Sequence, residues 1–480
     1  MDRLGVGLTY VRGLEGLLEE CGEKLDVVEV EPQTFWRARP DGTVGTDDEA
    51  LRRLADLPGA RLLHSIGDPV GGTVLPEAEH IHLLGELAAR MDVPWVSEHL
   101  AFSRVGGGAE GFRTGFMLPP RQSPAGVRRG VRSVRAMADA LPVPFAVELG
   151  TNYLRPRADE LSDGAFAAQV AEQADCGLLL DLHNVLANER NGRCTVDDLL
   201  AELPLERVWE VHLAGGFEHR GYWLDAHSGL PDEELLLLAE RVLPRLPALR
   251  AVLFEVMASA APGLEASEVR ELTDRVREMW VPGVVAAPVS RRVVGEAAET
   301  GPSPEEWEAA LGRLAVGREP RTALERELAA DPAIGLLREL ILEFRAGALA
   351  GTLVHTVRLL LLTLGEGGVR ELLAGYARQR TPELFATAEA LAFAEHLRRT
   401  CPAVPLLPDV LELDLGLMRV RLDGEPRTVE LGTDPNVLLT ALGAGRLPQD
   451  PPRGTYRLRL VDTPGARGTA RGGTAAPATG

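Results

Sequence analysis

Residues 177–182 read GLLLDL, a short apolar run that carries Asp181 near its end and is followed directly by His183 and Asn184. Seven other short runs have the same β-rich, apolar character: residues 4–10, 26–31, 61–66, 95–100, 145–149, 208–213 and 251–256. Longer segments with helical spacing separate them, including residues 77–91, 124–141 and 233–246. Apolar strands that alternate with helices are typical of a parallel sheet covered on both faces. Eight such units in about 280 residues predict an α/β fold, a TIM (β/α)8 barrel.

The structural alternative is a doubly wound open sheet. Such a sheet carries a glycine-rich turn after its first strand, whereas Gly5 and Gly7 lie inside the first apolar run. The barrel is therefore the preferred prediction.

A different pattern begins near residue 303. Ser303 and Glu306 predict a capping box, with Pro304 at the first helical position. Helical spacing continues through residues 322–330, 336–348, 352–364, 368–378 and 383–399. Alternation then predicts a small β unit from residues 410–415, 419–422, 427–431 and 456–461.

These patterns divide the chain into four parts. We predict a barrel domain (1–287), a linker (288–302), an α+β domain made of a helical bundle and a small β unit (303–461), and a tail (462–480). The tail is rich in glycine, alanine, threonine and proline, and is expected to be disordered.

Charge and composition exclude several functions. The 51 basic and 71 acidic residues give a net charge of −20, which argues against nucleic-acid binding. Lys24 is the only lysine, so a lysine-dependent mechanism is disfavoured. Four scattered cysteines, an N-terminus without an apolar core and an apolar run (359–364) too short for a membrane predict a cytoplasmic protein with no membrane partner.

Polar residues concentrate at the carboxyl ends of the predicted strands, where a TIM barrel places its active site. They are Glu29, Glu31, His64, Glu98, His99, Glu148, Asp181, His183, Asn184, His212, Asp225, His227 and Glu255. Burying so many imidazoles and carboxylates together is unfavourable unless cations lie among them. Nitrogen and oxygen donors suit iron, manganese, zinc or cobalt, and their number predicts two or three ions. The residue types do not choose between iron and zinc.

Four motifs carry a family resemblance: VSEHLA (96–101), LLLDLHN (178–184), VHLAG (211–215) and LDAH (224–227). Over about residues 3–280 the chain resembles the multinuclear non-heme iron-dependent oxidative enzymes, of which methanobactin oxazolone synthase is the best-known relative. The resemblance implies a barrel with two or three irons in a mixed-valence Fe(II)/Fe(III) state and dioxygen as co-substrate. The implied reaction is oxidation of a residue, typically cysteine, in a ribosomally synthesised precursor peptide.

The resemblance also implies residue roles. The implied iron ligands are His64, His99, Glu148, Asp181, His212, Asp225, His227 and Glu255. The candidate catalytic residues around them are His183, Asn184 and Glu31. His183 stands where the family often has an asparagine, and the asparagine that usually follows strand two is missing.

The C-terminal region is similar to the partner proteins that accompany these oxygenases and help to hold the peptide. The matching segments are residues 359–365, 376, 382–385, 389–390 and 405–412. This similarity implies that partner and enzyme are fused here. The implied partner is the precursor peptide, and a separate leader-recognition protein remains open.

Two other functions stay open from the residues. A divalent-metal sugar isomerase or epimerase uses a similar barrel, but with fewer histidines and a catalytic lysine or glutamate pair. A trinuclear-zinc endonuclease is opposed by the charge of −20.

Overall fold

The computed structural model describes residues 2–11, 13–38, 43–55, 57, 59–106, 111–280, 291–292, 299–401 and 403–461. Most of the predicted linker and the whole predicted tail lie outside these residues.

Eight parallel strands close into a barrel in chain order, and the first strand pairs with the last. They are β1 (Gly5–Tyr10), β2 (Val27–Val30), β5 (Ala60–Ser65), β6 (Val96–His99), β9 (Phe145–Glu148), β10 (Gly177–Asp181), β11 (Val208–Ala214) and β14 (Ala251–Glu255). Each end lies within one residue of the run predicted from the sequence. The predicted TIM barrel is therefore confirmed.

Helices cover the outside of the barrel: α1 (Glu15–Cys21), α2 (Asp48–Ala55), α3 (Ala78–Met91), α4 (Pro124–Ala138), α5 (Asp163–Ala174), α6 (Leu182–Arg190), α7 (Val196–Glu202), α8 (Glu233–Val242) and α9 (Ala266–Met279). Three small hairpins are inserted: β3 (Trp36–Ala38) with β4 (Val44–Thr46), β7 (Phe102–Val105) with β8 (Phe112–Leu118), and β12 (Phe217–His219) with β13 (Tyr222–Leu224). Ser123 and Asp181 cap α4 and α6 by accepting hydrogen bonds from the backbone N–H groups of Gly126 and Asn184.

The C-terminal region is mostly helical. Its elements are α10 (Pro304–Ala315), α11 (Ala323–Leu328), α12 (Ala333–Thr352), α13 (Val354–Gln379), α14 (Ala386–Thr400), α15 (Leu407–Asp423), β15 (Arg427–Thr433), α16 (Pro435–Gly443) and β16 (Arg453–Leu460). The capping box of Ser303 and Glu306 is present at the start of α10. Within the described residues no single helix is long and apolar enough to cross a membrane, and α12 with α13 qualifies only as a pair bent by 116°.

The predicted strands at 410–415 and 419–422 are wrong, because these residues form helix α15. One side of α15 packs on the helical core through Leu407, Val410, Leu411, Leu415 and Met418. The other side packs on the β15–β16 hairpin through Leu413 and Val420. Because the helix buries two sides, Leu411 and Leu415 serve one side and Leu413 the other, and their spacing of two residues imitates strand alternation.

The first helices of the C-terminal region pack against the carboxyl end of the barrel, which we call the mouth. Phe102, Val105 and Leu118 of the β7–β8 hairpin form one apolar cluster with Trp307 and Ile341 of α10 and α12. The Trp307 indole N–H also donates to the backbone oxygen of Pro119 at 2.9 Å. The C-terminal region is therefore attached beside the site that the strands build.

Candidate metal centre

The barrel interior changes from apolar to polar towards the mouth. Its buried floor consists of Val27, Leu62, Trp95, Ala146, Ala251 and Leu253. Above the floor, strand register aligns His99 with Glu148 and Asp181 with His212. Because neighbouring strands are parallel and in register, their last residues reach the same opening.

One half of the centre is built by β5, β6 and β9. Nε2 of His64 and Nε2 of His99 each lie 3.2 Å from the same oxygen, Oε2 of Glu148. Ser97 holds the other side of the His64 ring, with its hydroxyl 2.9 Å from Nδ1. Two imidazoles and a carboxylate thus converge on one point.

The other half is built by β10, β11, β14 and the loop after β13. Nδ1 of His212 lies 2.9 Å from Oε2 of Glu255, and Nδ1 of His227 lies 3.3 Å from Oε1 of the same residue. Asp225 contacts Nε2 of His227 at 2.7 Å. Asp181 has a ligand atom within 4.8 Å of donors in both halves, grouping with Glu148 and His212 and also with His227 and Glu255.

The structure therefore brings together all eight residues predicted as ligands. Six buried atoms of these eight residues have no hydrogen-bond partner among the described residues: Nε2 of His64, Oε2 of Glu148, Oδ2 of Asp181, Nε2 of His212, Oδ1 of Asp225 and Nε2 of His227. Leaving buried polar atoms unsatisfied is costly, and cations bound among these residues would remove much of that cost. The donor set fits more than one metal ion.

The pKa values of the centre depart from their ordinary values in both directions. Burial raises the pKa of Asp181 to about 7, and the nearby charges of Glu148 and Asp225 add to the rise. Burial lowers the pKa of the His64 imidazole well below its usual range. At His227, burial is outweighed by Glu255 and Asp225, which hold the imidazole pKa well above its usual range. Metal ions binding here would displace the protons that this arrangement retains.

The three candidate catalytic residues occupy different places. The Asn184 amide donates to Oε1 of Glu148 at 3.2 Å and accepts from the Thr151 hydroxyl at 2.7 Å, so it orients a predicted ligand. His183 points beside the centre, with Nε2 3.2 Å from the backbone oxygen of Leu224.

Glu31 faces the mouth just beyond β2. Burial raises the pKa of its carboxyl to about 7, and the charge of Glu255 adds to the rise. Glu31 is therefore the candidate catalytic residue that has a carboxyl in the mouth and is not one of the eight predicted ligands.

Several supporting residues were missed from the sequence. Ser97 orients His64, and Thr151 orients Asn184. Glu98, by contrast, was named from the sequence among the polar strand ends, but its carboxylate accepts from the Ser65 hydroxyl and the Asp68 backbone N–H and does not join the donors. Alternation along β6 could have identified Ser97, because it lies two residues before His99 and shares its face.

Fold and site together define a class, TIM barrels whose mouth offers ligands for several metal ions. A profile of the MbnB/TglH/ChrH family, described as RiPP precursor modification enzymes, matches residues 4–275. The chain belongs to this family, whose members modify ribosomally synthesised and post-translationally modified peptide precursors.

Curated relatives agree with this assignment. A UPF0276 protein of Anaeromyxobacter sp. (strain Fw109-5) is 32% identical over 225 residues, which cover 47% of this chain and 75% of the relative. A UPF0276 protein of Chromobacterium violaceum is 29% identical over 242 residues, or 50% of this chain and 83% of the relative. A third, from Streptomyces avermitilis, is 32% identical over 224 residues, and the match spans 45% of this chain but only 46% of that relative.

Solved structures with related barrels are more distant. D-psicose 3-epimerase from Clostridium cellulolyticum H10 has a TM-score of 0.37 at 12% identity, covering 57% of this chain and 99% of that one. A xylose isomerase domain containing protein from Salmonella typhimurium has a TM-score of 0.40 at 14% identity, covering 58% and 99%. At this distance the likeness says nothing about the reaction.

Proposed function

We propose that the protein is an iron- and dioxygen-dependent enzyme that oxidises a cysteine in a ribosomally synthesised precursor peptide. The observation that carries the proposal is the convergence of eight histidine and carboxylate donors, six of them with unsatisfied buried atoms, in a member of a peptide-modifying family. In the overall reaction the peptide cysteine loses electrons and dioxygen accepts them.

The candidate ligands would hold two or three irons, and iron at such a site supplies a binding position for a thiolate and one-electron transfer to dioxygen. The chain itself provides the geometry. Asn184 fixes the Glu148 carboxylate, which contacts both His64 and His99. Glu31, whose pKa is raised to about 7 by burial, can hold or release a proton at the mouth near neutral pH.

We further propose that the C-terminal region recruits the peptide. A groove of about 620 Å³ lies between α15 and β15 and is lined by Gly416, Arg419 and residues 427–430. Strand β15 pairs only with β16 among the described strands. On its other edge the Gly432 N–H donates to Asp409 of α15, so an added strand would pair with the part of β15 before Gly432. A free strand edge beside a groove can bind an extended peptide by adding a strand.

Metal analysis and the visible spectrum of anaerobically purified protein test the metal part of the proposal. We expect about two or more irons per chain, and a mass change in a cysteine-containing precursor peptide that requires both iron and dioxygen. Zinc alone with no bound iron would contradict the proposal, as would peptide modification that continues without dioxygen.

Hydrogen exchange tests the recruiting role in the full-length protein. Adding the cysteine-containing precursor peptide is expected to protect amides of β15, and a peptide of scrambled sequence provides the control for the ligand. Helix α9, on the outside of the barrel, is the internal control. Absence of peptide-dependent protection in β15 would overturn the placement of the peptide on β15.

A further inference from the structure

A second polar group lies inside the barrel, between the apolar floor and the metal centre. We call Glu29, Glu210 and His212 the inner cluster. All three side chains are completely buried. The Trp95 indole N–H donates to Oε2 of Glu210 at 2.9 Å and fixes that carboxylate from below. The sequence places Glu29 at a strand end but gives it no role.

His212 connects the inner cluster to the metal centre. Its Nδ1 lies 2.9 Å from Oε2 of Glu255, on the side of the candidate ligands. Its Nε2, on the opposite edge of the ring, lies 3.1 Å from Oε2 of Glu29 and 3.7 Å from Oε1 of Glu210. Both oxygens of Glu29 and Nε2 of His212 lack an aligned hydrogen-bond partner among the described residues, so the 3.1 Å contact joins two groups that each still need a partner.

We infer that Glu29 is a positioning residue for the metal ligand His212. Glu29 accepts the Nε2 proton of His212, which fixes the tautomer that presents Nδ1 to a metal ion beside Glu255. Histidines that bind metals generally give their other ring N–H to a carboxylate or carbonyl group, and this contact sets the orientation of the ring. The inference rests on the proposed function, because it requires metal at the mouth.

Two substitutions of Glu29 separate positioning from direct ligation. Glu29→Gln keeps an oxygen that can accept the Nε2 proton, whereas Glu29→Leu removes it. With Zn²⁺ as the probe and a competing chelator, we expect Glu29→Leu to weaken metal binding by about 10–100-fold. Glu29→Gln is expected to stay close to wild type, as is Glu202→Gln, a matched control at another buried carboxyl outside the barrel interior.

Nitrogen-15 spectra of histidine-labelled, Zn²⁺-loaded wild-type protein provide a readout that does not depend on any variant folding. We expect one histidine with a metal-bound Nδ1 and a protonated Nε2, and a changed Nε2 signal in Glu29→Gln. Metal bound through Nε2 of His212 would overturn the inference.

The affinity measurements can overturn it in two further ways. Equal losses in the Gln and Leu variants would place the Glu29 carboxylate on a metal ion itself, and wild-type affinity in Glu29→Leu would show that Glu29 has no role. A wild-type chain that binds no metal would instead overturn the proposed function, and the inference with it.

Discussion

Buried carboxylates are hydrogen-bonded differently at the barrel mouth and in the C-terminal region. In the C-terminal helices, Glu389 accepts from Arg345 and from the Glu383 backbone, and Asp414 pairs with His355 at 2.7 Å and accepts from the Thr356 backbone. At the mouth and in the inner cluster, by contrast, Glu29, Glu148, Asp181, Glu210 and Asp225 all retain oxygens without a hydrogen bond. Among the described residues only one other carboxylate, that of Glu339, has such an oxygen.

The difference separates two uses of a buried charge. A carboxylate with every oxygen matched by a donor stabilises one arrangement of helices and needs nothing further. At the mouth, a bound cation would match the open oxygens of the carboxylates, whereas the Glu29 oxygens are inferred to be matched by His212. The same residue types thus indicate a structural pair in one region and a binding site in the other.

The largest expected effect comes from Glu148→Gln. Because Glu148 contacts His64 and His99, removing its charge should lower metal occupancy and reduce peptide modification by at least about 100-fold. The metal-free variant should fold as stably as metal-free wild type, because an unmatched buried charge has been removed. Metal analysis and thermal unfolding check both parts. Normal metal content in this variant would contradict the assignment of Glu148 as a ligand.

Arg345→Met should lower stability and leave metal binding unchanged, the converse of the result expected for Glu148→Gln. This substitution leaves the buried Glu389 carboxylate without its cation, and breaking such a pair costs about 3–5 kcal/mol. We expect a lower free energy of unfolding in urea and unchanged metal content per folded chain. Loss of metal would show that metal binding at the mouth depends on the Arg345–Glu389 pair of the C-terminal region.

Glu308 tests the junction between the two regions. Its carboxylate accepts from the Thr73 backbone N–H at 2.8 Å, and burial raises its pKa from 4.5 to about 7. The folded protein therefore keeps a proton that the unfolded chain loses, so the free energy of unfolding should fall as pH rises from 4.5 to about 7.

Glu308→Gln should remove this part of the pH dependence. Relative to that of wild type, the free energy of unfolding of this variant should rise by about 2–3 kcal/mol between pH 4.5 and pH 7. Urea unfolding of metal-loaded protein at several pH values measures the difference. Parallel pH curves for the two proteins would refute the assignment.

The smallest effect is expected from His219→Ala. His219 contacts Glu339 of α12 at 3.3 Å, yet its side chain is 39% exposed. Partly exposed ion pairs contribute about 0–1 kcal/mol, so stability should change little and metal content not at all. A large loss of metal would mean that the β12–β13 hairpin governs the neighbouring ligands Asp225 and His227.

The barrel could be predicted closely because its strands are buried on both faces and its candidate ligands lie at strand ends. The run that ends at Asp181 contains both signals, a continuous apolar strand and a polar terminus. Helix α15 was mispredicted for a related reason, since its two buried sides remove the 3.6-residue period.

The supporting residues were less accessible to sequence reasoning. Ser97, Thr151 and Glu210 are ordinary residues whose roles depend on which side chain faces them across the barrel. Glu29 was visible as an acid at a strand end, but strand alternation alone cannot tell how deep in the barrel it lies. Depth and facing are tertiary properties, so the cluster of histidines and carboxylates at the mouth was predictable from the sequence, while the residues that support it were not.

The apolar cluster between the β7–β8 hairpin and helices α10 and α12 has a consequence for synthesis. Phe102, Val105 and Leu118 leave the ribosome long before Ile341, their partner in the cluster. At about 5–20 residues per second, the roughly 220 residues between Leu118 and Ile341 take about 10–40 s to appear. Until α10 and α12 have been made, the nascent barrel exposes the part of this hairpin that those helices cover, and a chain that stops before α10 leaves that part exposed.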